Sequence, residues 1–221
     1  MKIYLASADL GEIRWAAQSG LADGVLTTPA LLGTVAPEDD GRDVLVEICR
    51  AVTLPVFVSA AAVNEADIFR DGKDLARISD QVIVQVPFVE DAIGAMRRLQ
   101  ADGVRIAATL VFNAAQALLA SKVGAVAVVT NLAQLDAQGQ DGPEIVGEMR
   151  AVFDAHETEC DVIAAFASSA SQLVACALAG ADAIAVETAA MHALLVHPLT
   201  DRGLDQFLTD LSRRPKPRSL S

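Results

Sequence analysis

VIVQVP, residues Val82–Pro87, is an apolar run interrupted by a single amide, Gln85. Similar short runs rich in Val, Ile and Ala recur along the chain. They are KIYLAS (2–7), GVLTT (24–28), PVFVSA (55–60), QVIVQVP (81–87), RIAATLV (105–111), AVAVVTN (125–131), DVIAAFA (161–167) and AIAVE (183–187). Continuous apolar strands, rather than alternating ones, belong to a parallel sheet covered on both faces. Eight such strands separated by helical patterns predict an α/β fold, the (β/α)8 barrel. At 221 residues the chain lies near the short end of that architecture. An open doubly wound sheet is the alternative. Against it, no GxGxxG or GxxxxGK[ST] follows any of the strands.

The helical stretches carry their own signals. Asp9 and Glu12 are spaced as a capping box ahead of Ile13, Ala16 and Ala17. Asn64 is placed to cap a helix containing Ile68 and Leu75, and Ser168 or Ser169 one containing Leu173 and Cys176. Val89, Ile93, Met96 and Leu99 form an apolar stripe that stops before Gly103. A last helix places Leu204, Phe207, Leu208 and Leu211 on one face. The expected organisation is a barrel over residues 1–200, then a C-terminal helix and basic tail over 201–221. That helix would pack on the barrel or on a neighbouring subunit.

Composition narrows the function classes. The net charge of −12 repels nucleic acid and anionic membrane surfaces. The basic stretch Arg213–Arg218 reads as a solvated end. No apolar run reaches the roughly 18 residues of a membrane-spanning helix, and the N-terminus lacks the pattern of a signal peptide. A cytoplasmic location is therefore expected. Cys49, Cys160 and Cys176 lack metal-ligand spacing and read as buried or half-buried free thiols. His156, His192 and His197 form no HExxH or Cys/His cluster, so neither a metal nor a cofactor is expected.

In a barrel of this kind the chemistry sits at the C-terminal strand ends. Those ends read Ala6 and Ser7, then Leu26 to Thr28, Ser59, Gln85, Thr109, Asn131 with Gln134, Phe166 with Ser168 and Ser169, and Glu187. The set is polar but almost uncharged. Any one Ser or Thr there is explained by a local backbone cap, and Gln85 by a satisfied interior amide.

Taken together, the segments resemble the small transaldolases and fructose-6-phosphate aldolases. The landmarks are IYLAS-AD at the start, GVLTTPALL, VQVPF, AATLVFNAAQALLA, LDAQGQDG and LAGADAIAV. The resemblance runs almost without gaps from Tyr4 to about Pro198. It implies a lysine on the fourth strand, in a K-V-P pattern, that holds a ketose donor as a Schiff base. The residue at that position here is Gln85, whose amide nitrogen cannot form an iminium. Other implied positions differ too. Ala6 stands for a proton-transferring aspartate, Thr28 for an asparagine, Ser59 for a water-positioning glutamine and Asn131 for a tyrosine; Thr109 is kept. The implied phosphate-binding positions read Gln134, Phe166, Ser168 and Ser171, and no cation is placed to replace the familial arginine.

Glu187 stands where the resembling family has a proline. A carboxylate enclosed in an apolar mouth without a cation would hold its proton tightly and could move one. Its alternative is a solvent-facing residue beside the following helix. Two functions follow, the first preferred and the second its alternative. One is a diverged enzyme acting on a small carbonyl or acid metabolite by aldol-type cleavage, isomerisation or dehydration without a Schiff base. Glu187, Gln85 and Thr109 would be its catalytic residues; Thr28, Ser59, Asn131, Gln134, Phe166 and Ser168 would bind substrate. The other is a catalytically inactive homologue serving as a scaffold or binding module. A lysine other than the fourth-strand one is disfavoured, because Lys73 and Lys122 fall on or beside helices. The partner is a small molecule. The resemblance also implies a homo-oligomer, with a ring among its forms.

Overall fold

The computed structural model describes residues 1–38 and 41–213. Eight parallel strands close into a barrel in sequence order. They are β1 (Lys2–Ala6), β2 (Gly24–Leu26), β3 (Val56–Ser59), β4 (Val82–Pro87), β5 (Ile106–Thr109), β6 (Ala127–Asn131), β7 (Asp161–Ala165) and β8 (Ala183–Glu187). All eight coincide with the apolar runs of the sequence. Closure is made by β1 on β8, in register from Lys2 opposite Ala183 to Ala6 opposite Glu187.

The helices are α1 (Leu10–Gln18), α2 (Pro29–Val35), α3 (Arg42–Ala51), α4 (Glu65–Ala76), α5 (Ile93–Ala101) and α6 (Ala114–Lys122). They continue as α7 (Leu132–Ala137), α8 (Gly142–Ala155), α9 (Ala170–Leu178), α10 (Thr188–Leu194) and α11 (Pro198–Ser212). One hydrophobic layer lies between strands and helices; it includes Leu5, Val58, Val84, Met96, Met149 and Phe153. A second fills the barrel. There the bulk comes from Tyr4, Leu26, Phe57 and Ile83 on β1 to β4 and from Val129 and Ile163 on β6 and β7, with Ala107, Ala127, Ala165, Ala183 and Ala185 between them. The Tyr4 and Phe57 rings meet with centroids 5.1 Å apart. Gly24 is required beside them: a Cβ there would lie 2.8 Å from the Tyr4 ring and 3.1 Å from the Pro55 carbonyl oxygen.

The caps correct two expectations. Asp9 caps α1 by accepting from the Glu12 backbone N–H at 2.9 Å. The Glu12 side chain does not complete the box; its Oε2 accepts from Ser7 at 2.5 Å and from Thr188 at 2.6 Å. A carboxylate meeting two hydroxyls from adjacent loops outcompetes one backbone N–H. In the stripe before Gly103, Met96 and Leu99 are buried, but Val89 precedes the helix and is exposed, as is Ile93; Ala92 and Ala95 take the inner places. The other caps stand as read: Asn64 accepts from Asp67 N–H, and of the two serines it is Ser169 that accepts from Gln172 N–H.

The C-terminal helix α11 starts at Pro198, slightly before the expected boundary, and buries none of its residues. Leu204, Phe207, Leu208 and Leu211 are 42–58% exposed, so the stripe does not pack on its own barrel. The basic tail beyond Arg213 lies outside the described residues. Among the described residues, no helix is long and apolar enough to cross a membrane.

Candidate functional site

The interior layer leaves room at the C-terminal end of the barrel. A cavity of about 250 Å³ opens there. Its polar lining is Thr28, Ser59, Gln85, Thr109 and Asn131, one residue from each of β3, β4, β5 and β6 and one from just beyond β2. The rest is apolar: Leu26, Pro29, Ala60, Pro87, Leu110, Val129, Ala165 and Phe166. Among the described residues, none in the lining is charged.

Gln85 is only 2% exposed. Its Nε2 donates to the Thr27 carbonyl oxygen at 2.8 Å and, more weakly, to Ser59 Oγ at 3.3 Å. The carbonyl partner fixes the amide orientation, since a flipped amide would set two oxygens against each other. Thr27 itself is buried, with its hydroxyl donating to the Phe57 carbonyl oxygen at 2.9 Å. The amide is therefore held by the strand tops on one side and faces the cavity on the other.

Two of the predicted binding residues also serve the backbone. Thr28 Oγ1 accepts from Leu31 N–H at 3.2 Å and caps α2. Asn131 Oδ1 accepts from Gln134 N–H at 3.1 Å and caps α7. In each case a helix begins directly after the strand, so the last polar side chain meets the first free N–H groups. The Thr28 hydroxyl proton and the Asn131 side-chain amide N–H groups are not used in those bonds. Thr109 lies at the end of β5, and its carbonyl oxygen accepts from Phe88 N–H at 2.8 Å.

Leu110 and Phe166, immediately after β5 and β7, have φ of 58° and 63°. Left-handed backbone at non-glycine residues costs about 1–3 kcal/mol each and is concentrated at ligand sites. Here it sets two large apolar side chains in the cavity lining. Nothing in the sequence announces that conformation at a Leu or a Phe.

The remaining predicted residues are not in this lining. Gln134 borders another groove, with Phe112, Gln138 and Gln140. Ser168 donates through both its N–H and its hydroxyl to Gln172 Oε1, at 2.8 and 3.2 Å. The same Gln172 donates to Asp136 at 2.9 Å, tying α9 to α7. Glu187 is exposed at the end of β8 and makes no side-chain cap of α10. The apolar enclosure expected around its carboxylate is absent. Glu12, the carboxylate shared by the loops after β1 and β8, was missed because its spacing from Asp9 explains it locally.

Other reactive groups lie elsewhere. Lys2 begins β1 at the opposite end of the barrel and pairs with Asp161 at 2.9 Å, and Lys73 on α4 pairs with Asp102 at 2.8 Å. Lys122 ends α6. The cysteines are free. Burial pushes the Cys160 thiol up to about 12 and that of Cys176 up to about 11, and also raises Cys49. Such thiols stay protonated and are poor nucleophiles. Among the described residues, no group of three or more His, Cys, Asp or Glu side chains is placed to hold a metal ion.

A parallel eight-stranded barrel with a hydrogen-bonding cavity at its C-terminal mouth has the layout of a barrel enzyme. The family model described as Transaldolase/Fructose-6-phosphate aldolase matches residues 3–215, and the chain belongs to that family. Proteins named "Probable transaldolase" are similar along nearly the whole length. That of Hyphomonas neptunium is 37% identical over 96% of this chain and 98% of its own. That of Chelativorans sp. is 35% identical over 96% and 97%. Among solved structures, an N-acetylmannosamine-6-phosphate 2-epimerase from Clostridium perfringens covers 92% of both chains with a TM-score of 0.60 at 14% identity. FabK from Thermotoga maritima covers 84% of this chain and 57% of its own, with a TM-score of 0.56 at 15% identity. These two likenesses concern the barrel fold alone.

Proposed function

We propose that this family member holds a small carbonyl-containing metabolite at the barrel mouth by hydrogen bonds alone, without a Schiff base. The observation that carries the reading is Gln85: a carboxamide, 98% buried, occupies the cavity wall at the position the family resemblance gives to the lysine nucleophile. Its nitrogen has no available lone pair and both its protons point at oxygens. Among the described residues, no lysine lines the cavity. Thr28, Ser59, Thr109 and Asn131 would then orient the ligand, with Phe166 as an apolar wall. Gln134 and Ser168 would act at its periphery.

Because the lining lacks a titratable side chain, binding without turnover is the reading favoured here, that of an inactive homologue serving as a binding module. A second reading keeps an enzyme, with Glu187 moving a proton; its support is that Glu187 ends β8 on the same face of the barrel. Homo-oligomerisation through the exposed stripe of α11, a ring included, is part of the proposal, as is a cytoplasmic setting, which suits three unpaired thiols.

The test is borohydride trapping with fructose 6-phosphate or dihydroxyacetone, read by intact mass. We expect no adduct; one mapped to any lysine overturns the proposal. Should turnover of any carbonyl substrate be found, Glu187→Gln separates the two readings: abolished turnover supports the enzyme, and unchanged turnover removes Glu187 from it.

A further inference from the structure

The geometry points to an uncharged, compact ligand for the mouth cavity, with an apolar body and one hydrogen-bond donor, and to the exclusion of phosphate esters and carboxylates. This inference rests on the non-covalent reading above. It comes from three features of the cavity.

The first is charge. Among the described residues, no side chain lining the cavity is ionisable. An anion entering would leave water without meeting a cation, and hydrogen bonds from a few neutral groups do not offset that loss. Gln134 and Ser168, the neutral groups nearest the expected phosphate end, do not supply a charge. Ser168 is already bonded twice to Gln172.

The second is the pattern of free donors and acceptors. Gln85 Nε2 spends its two protons on the Thr27 carbonyl oxygen and Ser59 Oγ. Gln85 Oε1 receives no donor from any described residue, although the residue is 2% exposed and lines the cavity. Left open to the cavity, this oxygen can accept an O–H or N–H from a ligand. Ser59 Oγ, once it accepts from Gln85, has its own proton left to donate. An acceptor and a donor therefore stand side by side, matched to a hydroxyl beside a carbonyl or to the two ends of an amide.

The third is the wall. Leu26, Val129, Leu110 and Phe166 enclose the polar pair, the last two on left-handed backbone. A cavity of about 250 Å³ so lined rewards alkyl groups and has few partners for a run of hydroxyls.

The test uses three small probes of nearly equal size, titrated into the full chain and followed by amide NMR, including the Gln85 side-chain NH2. They are 3-hydroxybutanone, lactate, in which an anionic oxygen replaces a methyl of the first, and 2-butanone, which lacks the hydroxyl. We expect 3-hydroxybutanone to bind at least tenfold more tightly than lactate and severalfold more tightly than 2-butanone. Gln85→Leu should abolish the preference over 2-butanone while keeping the discrimination against lactate. Ser59→Ala, at a half-buried hydroxyl, removes the donor to the ligand carbonyl and should weaken 3-hydroxybutanone and 2-butanone alike, at least threefold, which keeps the inference testable should Gln85→Leu not fold. Lactate binding as tightly as 3-hydroxybutanone, no binding of 3-hydroxybutanone, a hydroxyl preference untouched by Gln85→Leu, or 3-hydroxybutanone binding untouched by Ser59→Ala each overturns the inference. A lysine adduct trapped by borohydride would sink the non-covalent reading and leave the ratio of the neutral to the charged probe standing. A tight anion without an adduct would do the reverse.

Discussion

Gln85 Nε2 on β4 lies 2.8 Å from the carbonyl oxygen of Thr27 at the end of β2. The bond spans the barrel interior past the intervening β3, and it uses a donor that neither a carboxylate nor an alkyl group has. Gln85→Leu should lower unfolding stability by about 1–3 kcal/mol, the cost of leaving a buried carbonyl without its donor. Urea denaturation should give a lower midpoint with an unchanged slope. Gln85→Glu should match Leu at pH 8 and recover at pH 4. Its buried carboxyl would face an oxygen, so its folded pKa would be raised; the stabilising protonated form is present at low pH and lost as pH rises through that value.

The thiols give a second pH dependence. Cys160 and Cys176 are raised from 9.0 to about 12 and about 11 by burial. A raised folded pKa means full stability below the unfolded value and loss above it. Between pH 9.0 and about 11, each thiol that ionises only in the unfolded chain should remove about 1.4 kcal/mol per pH unit. At pH 7.5 a disulfide reagent should modify Cys49 slowly and the other two only after denaturant is added. Prompt native labelling of Cys160 would contradict this burial.

Glu12 joins the loops after β1 and β8 through Ser7 and Thr188. Glu12→Ala should cost about 2–4 kcal/mol, since hydrogen bonds to a charged acceptor are worth more than neutral ones. Glu12→Gln, which retains an acceptor oxygen, should cost less than half of that. Thermal unfolding of the two variants beside the parent checks the order.

Removing the chain from Pro198 onward takes away a helix that buries nothing in the monomer. At protein concentrations where the parent is monomeric, the barrel's unfolding midpoint should be unchanged by the deletion. At higher concentrations native mass spectrometry should show the parent associating and the truncated chain remaining single. A large loss of monomer stability would mean that α11 supports its own barrel after all.

The barrel was legible because a strand buried on both faces has to be mainly apolar, and the runs from KIYLAS to AIAVE are so, with Gln85 and Thr130 as buried polar exceptions within the strands. The cavity was legible as far as Thr109 and Ser59, which end their strands, and Gln85, which lies two residues before the end of its own. Legibility faded where one polar residue could meet two needs. Thr28 and Asn131 line the cavity and also cap helices that begin at once. Glu12 sat at capping-box spacing, yet its carboxylate found partners 5 and 176 residues away. Glu187 is a strand-end residue whose exposure depends on how α10 departs, a tertiary matter. The left-handed turns at Leu110 and Phe166 have no local marker, because glycine and asparagine are the residues that ordinarily signal them.

Closure of β1 on β8 couples the first strand made to the last. On a ribosome adding about 5–20 residues per second, Ala183 follows Ala6 after roughly 10–35 s. For that interval the nascent polypeptide carries Lys2–Ala6 without the neighbour that completes its ladder, an adhesive edge offered to any other emerging chain. Translation speed, rather than the strength of any finished contact, therefore sets how long this protein is exposed to mispairing before its barrel can shut.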